Sequence, residues 1–318
     1  MAANDKCFCA SVCCSCFCIL LQGLPVRRID SHHHLWRYSA EEYGWIDDSM
    51  SVLRRDFLLE DLQTVLSGTD VAGTIAVQAR QTVEETRWLL DLAAPGSPIL
   101  GVCGWLPLAA DDFPAQLARF AGNLALKALR HVVQAEPAGF LDGDAFNCGI
   151  RALRDTELVY EILIYANQLE EAIRFVDRHP EQPFVLDHIA KPDIRSGEIA
   201  KWSAGIRELA RRPNVDCKLS GMVTEADFTH WTVEQLTPYF DVALDAFSPG
   251  RLLAGTDWPV LTVGCTYAKW WKIIESWIAP LSPAEQALVL GKNAERVYRL
   301  RTAEPESHAA LHNVMVKA

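Results

Sequence analysis

Cysteine is scarce where it would matter for structure. Past residue 18, this 318-residue sequence has only Cys103, Cys148, Cys217 and Cys265, far apart and mostly within apolar runs. That spacing excludes a disulfide frame and suits small buried hydrophobes in a reducing compartment, so a cytoplasmic protein is expected. Clustered positive charge is missing too. The formal net charge is −11 and no stripe of Lys and Arg is visible, which excludes nucleic acid as a partner, because phosphate binding needs grouped cations to displace counterions. No apolar run approaches the ~20 residues that cross a bilayer, so no membrane partner is expected. What is present is a core: half of the residues are hydrophobic and 22% are charged, a balance that excludes wholesale disorder.

The remaining six cysteines, Cys7, Cys9, Cys13, Cys14, Cys16 and Cys18, crowd the start of the chain. A secretory signal does not fit, since Asp5 accompanies Lys6, the apolar run from Cys16 to Leu21 is short and no A-x-A site follows. Three readings remain for residues 1–25: a metal-binding or acylated tail, a weak targeting segment, or translated sequence upstream of the natural start, which is preferred. The next methionine, Met50, lies too far on to begin the protein. Residues 303–318 read as a polar tail, Glu304-Pro305-Glu306-Ser307 interrupting any periodicity.

Between those ends the chain alternates. Apolar, β-branched runs occur at Val26 to Ile29, Val71 to Gln78, Ile99 to Trp105, Leu124 to Val133, Leu158 to Tyr165, Phe184 to Ile189, Val215 to Leu219 and Leu252 to Gly255. Helical patterns lie between them, such as the Leu169, Ala172, Ile173, Val176 stripe, and capping boxes at Thr232/Gln235 and Ser282/Glu285 mark two helix starts. Eight strand–helix alternations predict an α/β fold, a single (β/α)8 TIM barrel over residues 26–302, with a doubly wound open sheet as the alternative.

A barrel gathers the C-terminal ends of its strands at one mouth, and those ends carry the polar residues here. After the first run comes Asp30-Ser31-His32-His33-His34-Leu35-Trp36, in which His32 and His34 share a strand face and His33 points the other way. Two imidazoles beside an aspartate hold a metal, or serve as donors and proton carriers without one. Arg130 interrupts the apolar fourth run, where an interior strand rarely spares a charge. The sixth ends Asp187-His188-Ile189-Ala190-Lys191-Pro192 and the eighth Gly255-Thr256-Asp257-Trp258-Pro259. His32, His34, His188, Arg130 and Asp257 are therefore expected to converge on one cavity.

In combination these motifs resemble the amidohydrolase superfamily, and within it the amidohydrolase-related branch of sugar-lactone hydrolases that includes L-fuconolactonase, L-rhamnonolactonase and sulfomuconolactone hydrolase. The likeness runs from about Arg28 to Leu300 and includes Asn293-Ala294-x-x-Val297-Tyr298 near the end. It implies an amidohydrolase-type barrel that hydrolyses a small cyclic ester. One departure matters: strand five ends without the histidine of metal-dependent relatives, and Lys127 lies too early in strand four to bridge two metals. A two-metal centre is thus not expected. No metal is strictly required, or one divalent ion, zinc above others, is held by His32, His34 and Asp257 with His188 in reach. The resemblance implies Asp257 as general base, His188, His32 and His34 as carbonyl-polarising groups, and Arg130, Trp36, Trp258 and Lys191 as substrate-binding groups. Tyr165 is expected to fill core. A metal-dependent decarboxylase and a non-catalytic sugar-acid binder are the rival readings. A homo-oligomer is compatible with all of them.

Overall fold

The computed structural model describes residues 27–300. The expectations for the cysteine-rich leader and the polar tail lie outside the described residues. Eight parallel strands follow one another in chain order: β1 (Arg28–His33), β2 (Val71–Val77), β3 (Ile99–Gly104), β4 (Leu126–His131), β5 (Val159–Ile162), β6 (Phe184–Leu186), β7 (Val215–Leu219) and β8 (Leu252–Ala254). Each pairs with the next. The ring closes between β1 and the end of β8, where Asp257 N donates to His32 O at 2.8 Å and His34 N donates to Trp258 O. This is the single TIM barrel, not the open sheet.

The helices form where their sequence signals lie. Thr232 accepts from Gln235 N while Gln235 accepts from Thr232 N, which starts the helix Val233–Phe247, and Ser282 does the same with Glu285 ahead of Pro283–Ala287. On Leu169–Asp177 the buried stripe is Leu169, Ala172, Phe175 and Val176. Ile173 is half-buried against the same core, and Phe175 widens the stripe on its other side, its ring meeting Tyr160 and Phe184.

The last helix, Asn293–Val297, stoppers the end opposite the mouth. Ala294, Tyr298 and Leu300 pack on the inward side chains of Ile29, Ile75, Val77, Cys103, Ala128, Val159, Val185 and Leu253. Asn293 donates to the carbonyls of Pro249 and Leu252, both at 2.8 Å, and Lys127 donates to Arg299 O, far from any site at the mouth. With one end filled by apolar side chains, the polar residues of the barrel interior are confined to its other half. Among the described residues, no helix is long and apolar enough to cross a membrane.

Candidate active site

Strict alternation along β1 would defeat the site. Ile29 faces the barrel interior, so Ser31 and His33 should follow it inward. A register shift between Asp30 and His33 reverses the phase. Asp30 turns outward, where it accepts from Thr256 N, Thr256 Oγ1 at 2.7 Å and Tyr267 OH at 3.0 Å, pinning β1 to the end of β8. His32 and His34 then turn inward, their Nε2 atoms 3.1 Å apart. His33, also buried, has neither ring nitrogen hydrogen-bonded.

Asp257 meets this pair from β8. Its Oδ1 is 3.3 Å from His34 Nε2, 3.7 Å from His32 Nε2 and 4.0 Å from His188 Nε2. Asp257 has φ +60°, a left-handed conformation that holds the carboxylate at this point. The sixth run does more than end a strand. β6 stops at Leu186, and His188, Ile189, Ala190 and Lys191 all adopt positive φ, between 44° and 60°. Sequence periodicity predicts strand through Ile189. The chain instead makes a left-handed turn, whose steric cost of roughly 1–2 kcal/mol per residue is met by surrounding packing. Trp202 Nε1 donates to Ile189 O at 2.7 Å, Lys191 N donates to His188 O, and His188 Nδ1 lies 2.9 Å from Ser220 Oγ.

Gly221 makes room for that histidine. A Cβ there would sit 2.6 Å from His188 Cγ and Nδ1, and its φ of +67° is itself left-handed. Gly221→Ala should therefore lose about 1–2 kcal/mol of stability from the backbone alone and displace His188, lowering kcat. Turnover and a denaturation midpoint both equal to wild type would contradict this account of the loop.

Beneath the histidines lies a layer of buried charge. Lys218 of β7, with no exposure, places Nζ 2.6 Å from Glu161 Oε2, 3.1 Å from Asp187 Oδ1 and 3.1 Å from His32 Nδ1. Arg130 Nη1 donates to Asp187 Oδ2 at 3.0 Å and its Nη2 donates to Gln78 O. Tyr298 OH donates to Glu161 Oε1 at 2.6 Å. Two cations thus offset two carboxylates, which is what makes such burial tolerable. Burial works against charge on Lys218, yet Asp187 and Glu161 outweigh it and raise its pKa.

That layer sets the imidazoles. An ammonium donating to His32 Nδ1 leaves the His32 proton on Nε2, directed to His34 Nε2, while His34 carries its own proton on Nδ1 and donates to Val77 O at 2.8 Å. Burial, then Lys218, holds His32 well below its ordinary pKa, so it is neutral. Burial lowers His188 to about 4, against the pull of Asp257 and Asp187. For Asp257, burial pushes upward, but His188, His34 and Lys191 together hold it below the usual carboxylate value. The Asp257 carboxylate thus lies beside two imidazoles, His32 and His188, whose protonation burial disfavours.

Three nitrogens and a carboxylate suit one divalent ion. Donors ~2.0–2.1 Å from a tetrahedral zinc lie about 3.3 Å apart, against separations of 3.1, 3.3 and 3.7 Å among His32, His34 and Asp257 and 4.0 Å from Asp257 to His188. His34 already has its Nδ1 proton tied to a backbone carbonyl, as a ligand through Nε2 requires. His32 would have to move its proton to Nδ1, where Asp187 Oδ1 at 3.5 Å is the acceptor. The residues therefore fit the ion at the cost of one tautomer change, which also takes from Lys218 its acceptor at His32 Nδ1.

Above this floor is a cavity of about 430 Å³ lined by His34, Arg130, His188, Lys191, Glu225 and Asp257 together with aromatic, apolar and a few uncharged polar groups. The five residues expected to converge do so, with His32 one layer below the open space. The aromatic expectations need correction. Trp258 does not line the cavity but packs edge-on against Phe57 in the core. Trp36 does line the cavity, as a fully buried ring packed against Tyr43 and Phe57 with its indole N–H donated to Arg55 O. Tyr165, expected in the core, is instead 42% exposed at the mouth with Trp45. Arg130 has both terminal nitrogens engaged and only Nε unpartnered. Sequence reasoning passed over Lys218, Glu161 and Glu225, although the first two show the signal that singled out Arg130, a charge inside an apolar interior strand.

The amidohydrolase family model matches residues 29–300. An L-fucono-1,5-lactonase of Burkholderia multivorans is 38% identical over 86% of this chain and 96% of its own length, and one of Burkholderia ambifaria is 33% identical over 89% and 99%. A solved amidohydrolase structure from Burkholderia multivorans with bound zinc superposes with a TM-score of 0.84 at 38% identity, covering 86% of this chain and all of that one. With its barrel, its mouth residues and this match along nearly every described residue, the chain belongs to the amidohydrolase family.

Proposed function

We propose that this barrel hydrolyses a small lactone, a sugar-acid lactone of the L-fucono-1,5-lactone kind, with Asp257 as general base. The observation that carries the reading is the Asp257 carboxylate, held within 4.0 Å of the His34 and His188 rings on the floor of a cavity that accommodates one sugar-sized ring. Similarity to two lactonases along almost their full length supports the substrate class.

Water attacks the lactone carbonyl and Asp257 takes its proton. The ring C–O bond then breaks and the proton passes from Asp257 to the departing ring oxygen, leaving an open hydroxy acid. A positioned base contributes ~10² to 10⁴ in rate. His188 lines the cavity beside Asp257; with the Ser220 hydroxyl donating to its Nδ1, it carries its proton on Nε2 and supplies that N–H to the developing oxyanion, and one well-aimed donor is worth about 3–4 kcal/mol. His32 orients His34, and Lys191 meets the substrate's hydroxyls. His32, His34, His188 and Asp257 would hold a single divalent ion, zinc suiting that donor set, which when bound supplies a Lewis acid at the same carbonyl. A lactone is electrophilic enough for the residues to act without it.

Acid release separates the alternatives. A panel of sugar lactones with a pH indicator should show acidification by the wild-type protein. Decarboxylation consumes a proton and evolves carbon dioxide, and a simple binder changes neither. The acid limb of kcat/KM should lie at or below about pH 4, because the working form needs His188 neutral, with its pKa lowered to about 4, and Asp257 ionised below its ordinary value. Activity is then full above these values and lost as pH falls through them. An acid limb near 6.5, the ordinary histidine value, would contradict the assignment.

A further inference from the structure

Both cations lining the mouth already have a carboxylate partner. Arg130 is committed to Asp187 at 3.0 Å. Lys191 Nζ lies 3.8 Å from Glu225 Oε1 and 5.6 Å from the centre of the Tyr165 ring. Lys191 and Glu225 both face the cavity, their side chains 16% and 17% exposed. Each sits on a fixed element: Lys191 closes the left-handed turn after β6, and Glu225 ends a short helical turn, Val223–Glu225, where its backbone carbonyl accepts from Arg195 N at 3.0 Å. Among the described residues, the cavity thus presents two carboxylates, Asp257 and Glu225, and no cation without an anionic neighbour.

A lactone bearing a carboxylate or sulfonate would have to displace Glu225 from Lys191 or leave two like charges facing each other in a half-desolvated wall. Like-charge contact of this kind is an effective way to refuse a ligand. A hydroxyl has no such difficulty, since it accepts from the Lys191 ammonium and donates to the Glu225 carboxylate at once. We infer that Glu225, paired with Lys191, is a specificity-determining residue that restricts this site to uncharged polyhydroxylated lactones. The inference rests on the lactonase reading above and adds to it the charge class of the substrate and the residue that enforces it.

The test compares two lactones of one ring size, an aldonolactone with a terminal methyl or hydroxymethyl group and an aldarolactone with a carboxylate at that position. Wild type should prefer the uncharged one by at least about tenfold in kcat/KM, a ranking that needs no variant. Glu225→Gln keeps the shape and removes the charge. It should raise kcat/KM for the aldarolactone about tenfold and lower it for the aldonolactone, and adding Lys191→Met should abolish the gain. A variant that is merely damaged loses both substrates in parallel, which would overturn the inference, as would a wild type that takes both equally; the lactonase reading stands in either case. If wild type hydrolyses neither these lactones nor any other in the panel, both readings fall together.

Discussion

Asp257→Asn should lower kcat/KM for the lactone at least a hundredfold and leave the unfolding midpoint nearly where it was. Asparagine has the size of aspartate, and it tolerates the left-handed conformation recorded at this position, φ +60°, at least as well. The backbone bond from residue 257 N to His32 O, which helps close the barrel, is unaffected by the change. What disappears, among the described residues, is the one cavity carboxylate within 4.0 Å of His188 and His34. The loss therefore falls on proton acceptance, whose usual worth sets the expected drop. A variant within tenfold of wild type would remove Asp257 from the role of base.

Lys218→Met should cost about 3–5 kcal/mol of stability, the usual penalty for removing one partner from a buried ion pair. Lys218 is the common neighbour of Glu161, Asp187 and His32, all without solvent exposure. Without it, Arg130 alone faces two carboxylates, and Glu161 keeps only the Tyr298 hydroxyl. Urea denaturation reads the loss directly, and Glu161→Gln made on top of Lys218→Met should recover part of it, since the stranded charge is then gone. A single-variant loss below about 1 kcal/mol would show that the layer is not carrying the barrel interior. No comparable penalty is expected at Lys191, whose partner is near solvent.

The barrel was legible because its strands are apolar runs bounded by polar ends, and all eight occur where those runs lie. His32, His34, Arg130, His188 and Asp257 were legible for the same reason, as polar residues at strand ends. Three features were not. The phase reversal in β1 is invisible to periodicity, because either register buries a histidine. The left-handed turn at His188–Lys191 has no glycine to announce it and is imposed by tertiary contacts such as Trp202 to Ile189. Aromatic roles were the least readable: Trp258 flanks a catalytic-looking motif yet packs in the core, while Tyr165, in a segment that reads as strand, stands at the mouth. Which face of a chain an indole takes is decided by packing partners far away in sequence.

The central claim is that lactone opening depends on the Asp257 carboxylate more than on any bound metal. Its most direct test is the hydrolysis rate of chelator-stripped wild type, measured beside untreated wild type and beside both after added Zn²⁺. Stripped wild type should keep most of its rate, within about tenfold, and Zn²⁺ should add little; an inactive stripped enzyme fully restored by Zn²⁺ would contradict the claim.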